Sequence, residues 1–165
     1  MKLYEVSNRP TALIEQLTTV WEASVRATHL FLSNDEILAI KEYVPEALTA
    51  VPHLIIAEDD PQQPIAFMGI DEQTVEMLFI APVMRGHGLG KQLIQYGIDT
   101  YEINHVAVNE QNPEAKGFYE HMGFSVYKRT ELDEQGNPYP LLYMQLKDSR
   151  FIKIAYLLNL LSYYN

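Results

Sequence analysis

Residues 76–90, EMLFIAPVMRGHGLG, constrain this chain more than any other stretch. An apolar run, Met77 to Ala81, stops at Pro82. A loop then carries Gly86, Gly88 and Gly90, and an amphipathic segment begins at Lys91. Strand, glycine-rich turn, helix is the order that lets backbone N–H groups and a helix N-terminus hold a phosphate. Each glycine costs conformational entropy on folding, so a cluster of three argues for more than a turn. The loop points to a ligand bearing a pyrophosphate.

Spacing removes two familiar ligands. A nucleoside-triphosphate loop needs glycine five residues before its Gly-Lys pair and Ser or Thr after it. Here Gly90-Lys91 has Arg85 at the first position and Gln92 at the second. A dinucleotide turn needs G-x-G-x-x-G. Starting from Gly86 the last position is Lys91, and from Gly88 it is Leu93, so neither frame fits.

Composition narrows the class further. A chain of 165 residues, 47% hydrophobic, suits one domain with its own core. It has no cysteine, so disulfide and thiolate chemistry are absent. The start, MKLYEVSNRP, lacks the apolar run of a signal peptide, and no stretch of about 20 apolar residues would span a membrane. A cytoplasmic location is the expectation. A net charge of −10 argues against a nucleic-acid partner, whose affinity comes largely from basic side chains on phosphates. It is compatible with a cationic small molecule or a basic peptide.

Hydrophobic periodicity predicts the order β-α-α-β-β-β-α-β-α-β-β, a mixed α/β layer protein. Strands are expected at 2–6, 53–58, 65–70, 74–81, 105–108, 124–130 and 139–146. A first helix starts near Pro10 and runs through Leu17, Trp21 and Val25. Ser33 and Glu36 form a capping-box pattern before a second helix ending near Pro45. A helix follows the glycine loop. Another opens at Asn112-Pro113 and stops at Gly123. The tail, 147–165, reads as an extra C-terminal helix that is apolar nearly all round. Such a helix would be covered by its own domain or by a second subunit, so a homodimer is open. The expected organisation is 1–146 and 147–165.

The loop and a second stretch together resemble the GNAT N-acetyltransferases. Arg85-Gly86-His87-Gly88-Leu89-Gly90 matches the family's Q/R-x-x-G-x-G/A loop. Asn109, Asn112, Ala115 and Phe118-Tyr119-Glu120-His121-Met122-Gly123-Phe124 resemble its second signature. More narrowly, residues 24–33, 109–119 and 133–142 are similar to the YjaB-type bacterial acetyltransferases.

The resemblance implies a GNAT fold, with about seven strands splayed between the fourth and fifth. It implies acetyl-CoA as donor, no metal, and a primary amine, of a small molecule or a peptide, as acceptor. Carried over residue by residue, Phe79 and Ile80 would pair with the pantetheine. The loop Arg85, Gly86, His87, Gly88, Leu89, Gly90 and Lys91 would hold the pyrophosphate. Asn112 would contact the pantetheine or cap its helix. Tyr119 matches the family's general acid, the plain alternative being a core aromatic beside Phe118. Glu76 is the candidate base, or else an exposed strand carboxylate. His29 is a base or a pocket lining. Trp21, Arg26, Phe31 and Tyr139 are candidates to line the acceptor pocket. The alternative function is an acyl-CoA-binding sensor with little catalysis.

Overall fold

The computed structural model describes residues 1–60 and 63–147. The helix expected at 147–165 lies, from residue 148 on, outside the described residues. The order is β1 (Lys2–Glu5), α1 (Thr11–Thr28), α2 (Asn34–Lys41), α3 (Val44–Ala50), β2 (His53–Asp60), β3 (Gln63–Asp71) and β4 (Thr74–Ile80). A short turn of 3-10 helix at Pro82–Met84 leads into α4 (Leu89–Tyr101), β5 (His105–Asn109), α5 (Pro113–His121), β6 (Phe124–Thr130) and β7 (Leu141–Leu146). Among the described residues no helix is long and apolar enough to cross a membrane.

Seven strands form one sheet in the order β1-β2-β3-β4-β5-β7-β6. Only β4 and β5 run parallel, and they pair at just two positions, Thr74 with His105 and Val75 with Val106. Beyond Val75 the two strands part. That is the expected splay between the fourth and fifth strands. Past Val75 the β5-facing edge of β4 has no strand partner among the described residues, so alternate amides point into the opening.

Side chains alternate across the sheet with period two and build a core on each face. On β3, Ala66, Met68 and Ile70 point to the α4 and α5 side. Phe67 between them points to the α1–α3 side, where Leu17, Trp21, Leu48 and Ile56 are also buried. Val106, Val108, Leu142 and Met144 carry the first core across β5 and β7. A fully buried side chain of this kind stabilises the fold by roughly 1.5–3 kcal/mol.

The capping box forms as its spacing predicts. Ser33 Oγ accepts from the Glu36 amide at 3.2 Å, and Glu36 Oε2 accepts from the Ser33 amide at 2.7 Å. The second helix does not run on to Pro45. It ends at Lys41, and a separate helix, α3, begins at Val44 with Pro45 in its first turn. Proline at that position donates no missed bond and its φ already suits a helix, so it starts a helix here instead of ending one. Arg9 then ties down the end of α3, donating from Nη1 to the carbonyls of Leu48 (2.9 Å) and Val51 (2.6 Å).

Candidate active site

A cleft of about 530 Å³ follows the splay from β4 to the glycine loop and the head of α5. Three local features of the sequence build it. The first is a break in the register of β4 against β3, where Gly69 pairs with Met77 but Ile70 pairs with Val75. Glu76 is therefore the extra residue of a β-bulge. A bulge bends the strand and re-aims its side chain, here towards the cleft, which Glu76 lines.

The second feature is the loop. Gly86 and Gly88 both have φ of +79°, a conformation open to glycine and strained for other residues. A Cβ on either would meet nothing within 4 Å, so their backbone faces open space. Gly88 is also the N-cap of α4, and its carbonyl accepts from the Gln92 amide at 3.1 Å. The helix thus starts at Leu89, where the apolar spacing of Leu89, Leu93, Ile94 and Ile98 begins. The amides of Leu89, Gly90 and Lys91 head it without intrahelical acceptors. Those of Gly86, His87 and Gly88 have no backbone acceptor among the described residues. Arg85 differs, because its amide already bonds the Pro82 carbonyl at 3.2 Å.

Two residues of the loop assigned to the pyrophosphate have other contacts. Gly90 lacks a side chain for a packing reason. A Cβ there would lie 3.1 Å from Phe118 Cζ and 3.3 Å from Ile80 Cδ1. Its glycine lets α4 approach α5 and β4. His87 turns its ring away from the cleft, and its Nδ1–H donates to the Arg85 carbonyl at 3.0 Å. Only its amide is available to a ligand. The Arg85 guanidinium is engaged as well, donating from Nη2 to Glu114 Oε2 at 2.5 Å. Glu114 lines the same cleft and carried no signal in the sequence.

The third feature is α5. Asn112 caps it, its side chain accepting from the Ala115 amide at 3.2 Å, and it lines the cleft at the same time. Tyr119 stands on the buried face, 6% exposed, with its ring against Phe118 and Phe124 at centroid distances of 5.1 and 5.6 Å. Its hydroxyl makes no hydrogen bond to any described residue. No buried side-chain polar atom among the described residues lacks a partner, so that oxygen opens into the cleft. Burial pushes the phenol well above its ordinary pKa, and Tyr119 stays protonated at neutral pH.

Glu76 is shifted upward too. Partial burial is the largest cause, followed by the negative charges of Glu134 and Asp71. Across the cleft, burial lowers the pKa of His29 and keeps its imidazole neutral. Thr28 Oγ1 donates to the Ser24 carbonyl at 2.9 Å and so can only accept from His29 Nδ1, 2.7 Å away. That network assigns the proton to Nδ1 and leaves Nε2 as a bare acceptor.

The other acceptor-pocket candidates fall elsewhere. Trp21 is 5% exposed and packs edge-on against Phe79 at 6.4 Å, beneath the cleft wall. Arg26 joins α1 to α2, bonding Glu22 at 2.9 Å and Asn34 at 3.0 Å. Phe31 lies between His29 and Tyr139, 5.5 and 5.6 Å from their rings, and the Tyr139 hydroxyl donates to Glu36. These two brace the loop before α2 against the β6–β7 hairpin and do not line the cleft. Helical spacing in α1 could not separate its core face from its cleft face.

The comparisons agree with this architecture. A family model described as an acetyltransferase (GNAT) domain matches residues 51–126. Over 128 residues the chain is 42% identical to the peptidyl-lysine N-acetyltransferase YjaB of Salmonella typhimurium, covering 78% of this chain and 88% of that protein. It is 40% identical to the Escherichia coli protein of the same name, covering 78% and 86%. The solution structure of apo YjaB from Escherichia coli is similar with a TM-score of 0.78 at 36% identity, over 88% of this chain and 97% of the other.

Proposed function

This chain belongs to the GNAT acetyltransferase family, and on that premise we propose that it transfers the acetyl group of acetyl-CoA to the side-chain amine of a peptide lysine. The lysine acceptor is what the curated relatives' name says of them. The observation that carries the reading is one cleft holding three things: loop amides without a backbone acceptor and a Tyr119 hydroxyl without a partner, both among the described residues, and the Glu76 carboxylate.

The residues present fit the donor. Amides of Gly86 to Lys91, backed by the positive end of α4, would hold the pyrophosphate although the chain is acidic overall. The free edge of β4 at Phe79 and Ile80 would pair with the pantetheine, and Asn112 lies beside that path. Acetyl-CoA, when bound, supplies the activated thioester.

The remaining work is proton handling. A lysine amine is protonated in water, with a pKa of about 10.4, and must lose a proton before it can attack. Glu76 takes that proton, directly or through one water, and its raised pKa brings it nearer to neutral pH, where a base is most effective. An amide on the open edge of β4 donates to the oxyanion. Tyr119 then protonates the departing sulfur. Burial keeps the Tyr119 phenol protonated at neutral pH, so it has a proton to give.

The test is turnover. Purified protein mixed with acetyl-CoA and a peptide carrying one lysine should release free thiol and add one acetyl group to that side chain. Absence of acetylation over a panel of lysyl peptides, polyamines and small primary amines, with acetyl-CoA bound, would replace the enzyme by a binding module.

A further inference from the structure

We propose that residues 148–165 fold back over the face of β5, β7 and β6 that points away from α4 and α5, so that this face docks a segment of its own chain. Seated there, the segment forms the outer wall of a cavity that Glu76 lines. The docking is independent of the reaction that the cleft performs.

The face exists because the helices cover the sheet unevenly. Val106, Val108, Leu142 and Met144 point into the core beneath α4 and α5. Side chains alternate along a strand, so His105, Ala107, Leu141, Tyr143 and Gln145 point the other way. On that side the buried core under α1–α3 takes strand residues from β2 and β3, and none from β5, β6 or β7. Among the described residues this end of the face has no core of its own. A cavity of about 500 Å³ lies on it, with walls at Ala107, Leu141 and Tyr143 and with the carboxylates of Glu76 and Glu134.

The edge strand adds an aromatic ring to this face. β6 is bulged between Val126 and Lys128, and Tyr127 is the extra residue. A bulge re-aims a side chain. The Tyr127 ring meets His105 edge-on at 5.9 Å, which places it on the uncovered side, and it stays 56% exposed. Beside it the Lys128 ammonium lies 4.8 Å from the centre of the Tyr143 ring. Tyr127, Tyr143 and Leu141 form an apolar strip that would gain from cover.

The course of the chain names the occupant. β7 runs antiparallel to β5 and ends at Leu146, whose amide donates to the Asn104 carbonyl at 2.8 Å, next to the start of β5. The chain therefore leaves the sheet beside His105 and Gln145, at the end of the face away from the β6–β7 hairpin. β7 has 6 residues, about 20 Å at 3.4 Å per residue. Residues 148–165 reach about 27 Å even as a helix at 1.5 Å per residue, enough to turn and cross the face. Their composition suits the site. Asp148, Arg150 and Lys153 come first, and no charged side chain follows Lys153. Ile154, Tyr156, Leu157, Leu158, Leu160 and Leu161 then supply the apolar surface. Each such side chain left in water forgoes roughly 1.5–3 kcal/mol. A second copy of the chain competes poorly for this face. A short tether gives an effective concentration in the millimolar range, so at micromolar protein the chain's own segment fills the face first.

Paramagnetic broadening in the full-length chain tests this. The chain has no cysteine, so one introduced thiol carries one nitroxide label. Ser125 pairs with Gln145 and shares its side of the sheet. Thr100 is exposed on α4, behind the opposite side. A label at Ser125→Cys should remove most of the amide signal intensity of residues 154–165, and a label at Thr100→Cys should leave it intact. Leu157→Glu with Leu161→Glu puts two charges into the segment and should restore the intensity lost to the Ser125 label, with the signals of residues 1–146 showing that the domain stays folded. Isotope-labelled chains mixed with spin-labelled chains of natural abundance should lose nothing. Loss in that mixture gives the face to a second copy and overturns the proposal. Equal loss from both labels, no loss from the Ser125 label, or loss that survives the two glutamates overturns it too. None of these signals needs acetyl-CoA, so a chain that acetylates no amine would overturn the enzyme reading and leave the docking standing.

Discussion

Tyr119→Phe removes one oxygen from the centre of the proposed chemistry, and the structure sets what else should change. The ring is held by Phe118 and Phe124, contacts that phenylalanine keeps. The hydroxyl has no partner among the described residues, so no hydrogen bond is lost. A hydrogen bond contributes about 0.5–1.5 kcal/mol net, and with none lost the change should stay at or below the bottom of that range. Placing a hydroxyl in a largely apolar site costs free energy, so the sign should favour the variant. In a domain of this size 1 kcal/mol moves Tm by about 2–4 °C, which makes the expected change zero to a rise of about 2 °C. Catalysis should respond differently. A positioned general acid contributes about 10²–10⁴-fold, so kcat should fall at least a hundredfold while the Kd for CoA stays within about twofold. Thiol release at saturating donor and peptide, calorimetric titration of CoA, and a thermal melt separate the three quantities. A kcat within twofold of wild type would show that the phenol is not the acid. A Tm lowered by about 4 °C or more would show that the hydroxyl has a structural partner, and the argument from its open cleft-facing oxygen would fail.

Other variants probe the rest of the cleft. Glu76 has a folded pKa above the ordinary 4.5, so its stabilising contribution is present below that value and lost as pH rises through the folded pKa. Glu76→Gln should therefore melt higher than wild type at pH 7, with the gap closing near pH 4, while acetyl transfer drops; a melting gap independent of pH would refute the shift. Glu114→Gln frees the Arg85 guanidinium, and because both side chains are well exposed the gain should be small, a CoA Kd lower by about two- to fivefold in calorimetry. Gly88→Val forces a β-branched residue into φ of +79° at the cap of α4. CoA affinity should fall at least tenfold with the far-UV circular dichroism unchanged; unaltered affinity would remove the phosphate role of the loop.

Much of the scaffold was legible in the sequence because its signals are local. The strands followed from short apolar and β-branched runs bounded by turn residues, and the Ser33–Glu36 capping box from a four-residue spacing. The two signatures around Gly88 and Tyr119 pointed to the donor before any contact was known. One local reading failed where its signal has two meanings: Pro45 opens α3 although proline also closes helices. Acceptor candidates fared worse. Trp21 and Arg26 lie on α1 and His29 caps its end, yet one is core, one joins two helices and one lines the cleft. Helical periodicity marks an apolar face without saying which part of it meets a cavity.

By itself the sequence determined the elements, the glycine-rich turn that opens a helix, and the aromatic pair Phe118-Tyr119 on the helix facing it. These depend on neighbours within a few residues, where backbone conformation and side-chain period are set. The tertiary structure decided the rest. It put the bulge at Glu76 by pairing β4 against β3 out of step, engaged Arg85 with Glu114 across 29 positions, and left the face of β5, β7 and β6 open beside Glu134. Each of those outcomes brings together residues far apart in the chain. Their energies come from sheet register, charge and cover by helices, and none exists until the whole sheet has closed around its two cores.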